Sequence, residues 1–135
     1  MLRPDKTQKK KLMDSYGKEL IIDLHLCDVS KFNRKSLREY FKKLCLLIDM
    51  QRAKLVFWDD VGVPESEKQT LPHTTGTSAV QFILTSNITI HTLDKLENVY
   101  INIFSCKDFD HLTAKDFTIN FFKGHCVHWQ IIERR

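Results

Sequence analysis

The chain lacks any long hydrophobic run. No stretch approaches the roughly 18 consecutive apolar residues that a membrane-spanning helix needs, so no membrane partner is expected. It also lacks the charged-then-apolar pattern of a secretion signal, because MLRPDKTQKKKLMDSYG is polar and basic throughout. A cytoplasmic location is therefore the expectation. The four cysteines, Cys27, Cys45, Cys106 and Cys126, include no Cys-x-x-Cys pair, and without a secretion signal a disulfide framework is not expected. No metal site stands out either. GHCVHW brings Cys126 and His128 onto one face by strand alternation, and two ligands fall short of the three or four zinc requires. Strong charge is missing too: the net charge is +4, much of it from KTQKKK. That segment reads as part of a solvated basic tail over residues 1–16. No basic stripe with interleaved aromatics continues into the domain, so no nucleic-acid partner is expected.

What is present suits one soluble domain over residues 17–135, with 42% hydrophobic and 28% charged residues in a chain of 135. KELIIDLHL (18–26) alternates as a half-buried strand. SLREYFKKLCLLIDM (36–50) sets Leu37, Tyr40, Phe41, Leu44, Leu47 and Ile48 at helical spacing, and Ser36 with Glu39 suggests a capping box. AKLVFWD reads as a short strand. DVGVPESEKQTLPHTTGT (60–77) holds two of the three prolines and two of the four glycines; a loop of that length inside a small domain points to a lid or mobile segment. SAVQFILTS, NITIHTL and NVYINIFSC follow as strands. A second helix near 113–123 carries Ala114, Phe117, Phe121 and Phe122 and stops at Gly124, and HCVHWQIIE is the last strand. Strands this closely connected predict an α+β fold: a two-layer α/β sandwich with a mainly antiparallel sheet and two helices on one face. His91 and Cys106 then fall on the uncovered face.

Three stretches together, GKELIIDLHLCD, GTSAVQFILTSNITIHT and VYINIFSC, resemble the small prokaryotic-type, pyruvoyl-dependent S-adenosylmethionine decarboxylases. The likeness covers roughly residues 17–133, and its most specific part is 78–106. The resemblance implies self-cleavage between Thr85 and Ser86, giving a β chain 1–85 and an α chain 86–135. Ser86 would attack the preceding carbonyl, and β-elimination would turn it into a covalent pyruvoyl cofactor. It further implies that His91 is the processing proton acceptor, Ser78 a second processing residue and Cys106 the proton donor of the decarboxylation. The pyruvoyl carbonyl would take the substrate's amino group as a Schiff base and accept electrons as carbon dioxide leaves. The family's protomers pair sheet to sheet as αββα homodimers, with active sites between them; the exposed Tyr100 and Phe104 fit that.

Ser86 and His91 are five residues apart, so on one flat strand they face opposite ways. A turn or bulge between Ser86 and Ile88 would reconcile them. The sequence departs from the family pattern around the serine, with Thr85 for glutamate and Asn87 for histidine. It departs again in the substrate pocket: Leu93, Asp94 and Lys95 replace Trp-Pro-Glu, and Pro72 stands where an aromatic is usual. Glu97 or Asp94, with Trp58 or Phe57 supplying a ring, are the candidates to take over substrate binding. The reading that follows is decarboxylation of S-adenosylmethionine for spermidine and polyamine synthesis. The alternatives are the same chemistry on another amino-acid-type substrate, arginine or ornithine, and an unprocessed, non-catalytic homologue acting as a binding or regulatory partner.

Overall fold

The computed structural model describes residues 15–135. The tail expected over 1–16 lies outside the described residues as far as residue 14. Ser15 and Tyr16 are hydrogen-bonded to the carbonyl of Arg134.

Strand β1 (Gly17–His25) leads through a single 3-10 turn to helix α1 (Arg34–Leu47) and strand β2 (Arg52–Trp58). The long loop follows, then β3 (Gly76–Ile83), β4 (Ser86–Leu93), β5 (Asn98–Ser105), helix α2 (His111–Phe122) and β6 (His125–Arg134). The strands form one six-stranded sheet in the order β2-β3-β4-β5-β1-β6, every neighbouring pair antiparallel. The expected α+β sandwich is thus the fold found. None of the described helices is long and apolar enough to cross a membrane.

Alternation decides which side of the sheet the helices cover. Leu20, Ile22, Leu24, Ile88, Ile90, Val99, Ile101 and Ile103 are all buried on that side. Against them pack Leu37, Tyr40, Phe41 and Leu44 of α1 and Ala114 and Phe122 of α2. The Tyr40 hydroxyl, fully buried, is 2.8 Å from the Thr118 hydroxyl and ties the two helices together. Burying a phenol without such a partner would forfeit much of the gain from the ring.

Three local expectations are corrected. The side chain that caps α1 is Asn33, whose Oδ1 accepts from the Ser36 amide at 2.8 Å; Ser36 already lies inside the helix. Helix α2 ends on Lys123, which takes the left-handed conformation at φ 50°. Gly124 is needed for space instead, since a Cβ there would sit 2.7 Å from Cys27 Sγ. Cys126 and His128 do not share a face. A bulge between β1 and β6 pairs Cys126 with Leu24 and His128 with Asp23, which point to opposite sides of the sheet.

The side away from the helices carries no covering layer from the described residues. Val56, Trp58 and Phe82 are exposed on it, with Ile21, Tyr100 and Phe104 half-buried beside polar Thr89 and Asn102.

Candidate active site

The register of β2, β3, β4 and β5 places Trp58 beside Ser78, Ser78 beside His91 and His91 beside Tyr100, all on the open face. Cross-strand neighbours of this kind approach within about 5 Å at Cβ. Ser78 Oγ and His91 Nδ1 make a 2.7 Å hydrogen bond, which fixes one ring nitrogen and leaves Nε2 for a further proton exchange. The pair lines an open cleft of about 560 Å³, within the usual range for small-molecule sites. Trp58, Asp60, Gln69, His73, Leu93 and Tyr100 complete the wall. The long loop supplies part of it, and a bidentate bond from Arg34 to Asp59 (2.6 and 2.7 Å) anchors the loop where it leaves β2.

A second constellation forms at the opposite end of β4. Ile83 pairs with Ser86, so Leu84 and Thr85 make a two-residue hairpin turn. Thr85 has φ 55°, a conformation uncommon for any side-chain-bearing residue and strained for a β-branched one. Ser86 is buried, and its Oγ accepts from the Cys106 amide at 3.0 Å. The Thr85 hydroxyl lies 3.0 Å from Cys106 Sγ. Hydrogen bonding by Thr85 first, then Ser86 and Tyr16, holds the Cys106 thiol below its ordinary pKa of 9.0. Gly17 runs close behind, where a Cβ would come within 2.1 Å of the Ser105 carbonyl oxygen. Cys106 opens into its own small cavity of about 210 Å³, shared with Tyr16, Gly17 and Asp108.

The four sequence candidates therefore meet in two pairs, Ser78 with His91 and Ser86 with Cys106. The expected turn or bulge between Ser86 and Ile88 is absent: β4 pairs with β3 without interruption from Ser86 to Leu93. The irregular residue is Thr85, one position earlier. Ser86 thus faces the helices and His91 the open side, about 17 Å apart along an extended strand.

Of the substrate-binding candidates, Trp58 stands in the cleft, 79% exposed. Glu97 does not line it. It sits in the β4–β5 turn at φ 58°, its carbonyl accepting from the Cys27 amide. Phe57 faces the helices under the guanidinium of Arg38, 5.0 Å from its ring centre. Asp94 borders a neighbouring cavity, where burial pushes its carboxyl up from its ordinary value. The Lys95 ammonium is held by the Thr70 carbonyl. Sequence reasoning missed Asp60 and His73, although the length of the loop carrying them was the signal. It also missed Tyr16, whose place beside Cys106 depends on long-range register. Among the described residues no group of three or more His, Cys, Asp or Glu side chains could hold a metal.

No curated relative matches the chain significantly. Its fold matches the crystal structure of the adenosylmethionine decarboxylase from Aquifex aeolicus VF5 with a TM-score of 0.70 at 18% identity, covering 90% of this chain and 92% of that one. The family model for S-adenosylmethionine decarboxylase matches residues 18–135. With that match spanning nearly all of the described chain, the protein belongs to the S-adenosylmethionine decarboxylase family.

Proposed function

We propose that this chain is a pyruvoyl-dependent S-adenosylmethionine decarboxylase that makes its cofactor from Ser86 and serves polyamine synthesis in the cytoplasm. The carrying observation is the hairpin turn: a strained Thr85 directly before a serine whose hydroxyl is held by the Cys106 amide. Ser86 Oγ attacks the Thr85 carbonyl carbon, and the peptide C–N bond breaks as an ester forms. Breaking that bond lets the Thr85 backbone leave its strained conformation. Removal of the Ser86 α-proton then expels the Thr85 carboxylate and separates the two chains, leaving dehydroalanine at residue 86; water adds to its imine tautomer and ammonia leaves, which gives the pyruvoyl group. The residues at the turn suit the group this leaves on residue 86. Cys106 Sγ lies beside Thr85, and its lowered pKa eases proton donation to a carbanion. When formed, the pyruvoyl carbonyl supplies the electron sink for decarboxylation.

His91 is the proton acceptor in this reading, and it acts across a dimer. Two copies packed open face to open face, about a two-fold axis crossing the strands, bring the His91 end of one β4 over the Ser86 end of the other. Sheets packed face to face lie about 10 Å apart, much less than the 17 Å separation along the strand. The exposed apolar residues Val56, Trp58 and Phe82 support such a pairing. In the cleft, Trp58 offers a ring for a purine and Asp60 an acceptor for ribose hydroxyls, roles that Leu93 and Lys95 are chemically unable to fill.

Mass spectrometry of the purified protein tests the processing: fragments 1–85 and 86–135 are expected, the second carrying an N-terminal pyruvoyl group. A chain that stays intact on long incubation refutes it. Co-expression of Ser86→Ala and His91→Ala chains tests the dimer, with cleavage expected only in the His91→Ala chains and only when both variants are present. Carbon dioxide released from labelled S-adenosylmethionine supports the substrate assignment; release from arginine or ornithine in its place overturns it.

A further inference from the structure

Thr85, Ser86 and Tyr16 all hydrogen-bond the Cys106 thiol, and the proposed processing treats them differently. Ser86 Oγ, once esterified, departs as an oxygen of the Thr85 carboxylate, so residue 86 keeps no hydroxyl. Thr85 becomes the free end of the 1–85 chain, released from the hairpin that holds its hydroxyl 3.0 Å from Cys106 Sγ. Tyr16 is untouched, since no bond near it forms or breaks.

The fold fixes Tyr16 from both sides. Its amide donates to the Arg134 carbonyl at 2.6 Å, and the Ser15 hydroxyl donates to the same carbonyl at 3.1 Å. Next along the chain, Gly17 lies so close to the facing strand that a Cβ would come within 2.7 Å of Cys106 Cα. Any larger residue at 17 would push this segment, Tyr16 included, away from Cys106. The tyrosine ring rests against Phe104 with 6.2 Å between centres, and the Arg134 guanidinium lies 5.2 Å from the Phe104 ring centre. Phe104 and Cys106 are two residues apart at the end of β5, hence on one face, so a ring on Phe104 brings its hydroxyl beside the thiol. Tyr16 and Cys106 share the wall of one cavity of about 210 Å³ with Lys18, Asp108 and Glu133. Lys18 and Asp108 are paired with each other at 2.9 Å, and the Ser15 hydroxyl is engaged by backbone carbonyls.

We propose that Tyr16 is a positioning residue for the decarboxylation, its hydroxyl donating to Cys106 Sγ and aiming the S–H at residue 86 once the Ser86 hydroxyl is gone. An O–H donated to sulfur leaves the S–H free to give its proton, and it steadies the thiolate that remains. The consequence rests on the decarboxylase reading, whereas the contact itself exists in the uncleaved chain.

Tyr16→Phe tests the role. Tyr16 is 54% exposed, so the change keeps the ring on Phe104 and costs the core little. The first arm uses the Ser86→Ala chain, which lacks the Ser86 hydroxyl as the mature chain does and needs neither cleavage nor turnover. Alkylation of Cys106 by iodoacetamide is followed against pH, and adding Tyr16→Phe is expected to move its midpoint upward, because a donor to the thiolate is lost. The second arm uses the cleaved enzyme. There Tyr16→Phe is expected to lower kcat about fivefold, the rate equivalent of one hydrogen bond, with KM and the rate of cleavage at residue 86 unchanged. An unmoved alkylation midpoint overturns the proposal, as does an unchanged kcat or a loss confined to KM. A parent chain that neither cleaves nor decarboxylates refutes the proposed function and this role with it; an unmoved midpoint beside an active parent overturns this role alone.

Discussion

Replacing Thr85 by glycine removes the strain at the hairpin while leaving Ser86 and its bond from the Cys106 amide in place. Thr85 holds φ 55°, where Cβ crowds the following carbonyl; for a residue with a side chain this costs about 1–2 kcal/mol. Glycine adopts the same conformation freely. Against this gain stands the contact of the Thr85 hydroxyl with Cys106 Sγ at 3.0 Å, a weak bond at an exposed position, and the extra freedom of glycine in the unfolded chain. A net stabilisation of about 1 kcal/mol is expected. It is measured on a Ser86→Ala background so that no cleavage intervenes, and for a domain of this size it raises the unfolding midpoint by about 4 °C. On the native Ser86 background the same change acts in the opposite direction on reactivity. If the strain relaxes as the peptide becomes an ester, removing it slows processing by about fivefold, the rate equivalent of 1 kcal/mol. Time-resolved mass spectrometry of freshly refolded chain gives that rate. A Thr85→Gly chain that is no more stable than its parent shows that no strain is stored at the turn. One that is more stable yet cleaves at the parental rate shows that the strain is not released in the slow step.

Ser78→Ala removes the 2.7 Å bond to His91 Nδ1 and frees the ring's orientation and tautomer; processing is expected to slow about tenfold, against the 10²–10⁴-fold typical of losing the acid–base group itself in His91→Ala. An unchanged gel time course for Ser78→Ala refutes the positioning role. In the Ser86→Ala chain, which still carries the Thr85 contact, Cys106 is expected to be the first thiol alkylated by iodoacetamide, with a pH midpoint below 9.0, while Cys27 and Cys45 stay unmodified until the chain unfolds. Equal labelling of all three counts against the assigned environments. Burial pushes the Cys27 and Cys45 thiols up to about 11, so the folded chain keeps protons that the unfolded chain has lost above about 9. Stability therefore falls as pH rises from about 9 toward 11, read as a falling urea midpoint, and Cys27→Ser should shallow that fall.

The strands were legible because each is half-buried, and a period of two stamps that burial on the sequence. Leu20, Ile22 and Leu24, or Ile88 and Ile90, state both the strand and the face that turns inward. Errors arose where one residue of backbone irregularity reset the period. The β1–β6 bulge moved His128 to the face opposite Cys126, which alternation had joined. At helix ends the ambiguity was chemical: Asn33 and Ser36 are both good caps, and only the chain's entry path selects Asn33. Likewise Gly124 looked like the left-handed terminator, yet Lys123 takes that conformation and Gly124 avoids Cys27. The residue types of the site were recognisable from a motif. Their grouping was not, because a motif gives spacing along the chain and says nothing of which strand end meets which.

Parity along β4 links these points to function. A two-residue turn at Leu84–Thr85 fixes Ser86 opposite Ile83, and uninterrupted pairing then forces Ser86 and His91 to opposite faces. Within one chain the contact could be restored only by a bulge in β4. A bulge there would carry Ile88 and Ile90, both fully buried, out of the core, at about 1.5–3 kcal/mol for each side chain exposed. Bringing in a second copy avoids that loss. It leaves the core intact and covers Val56, Trp58 and Phe82, and it needs only the ends of two antiparallel β4 strands to overlap. The proposed packing would also account for a cleft lined by Trp58, Ser78, His91 and Tyr100 that is open and far from Cys106 in the single chain. In the proposed dimer each protomer would supply the base and substrate walls from the Ser78–His91 end of its sheet, and the serine and thiol from the Ser86–Cys106 end.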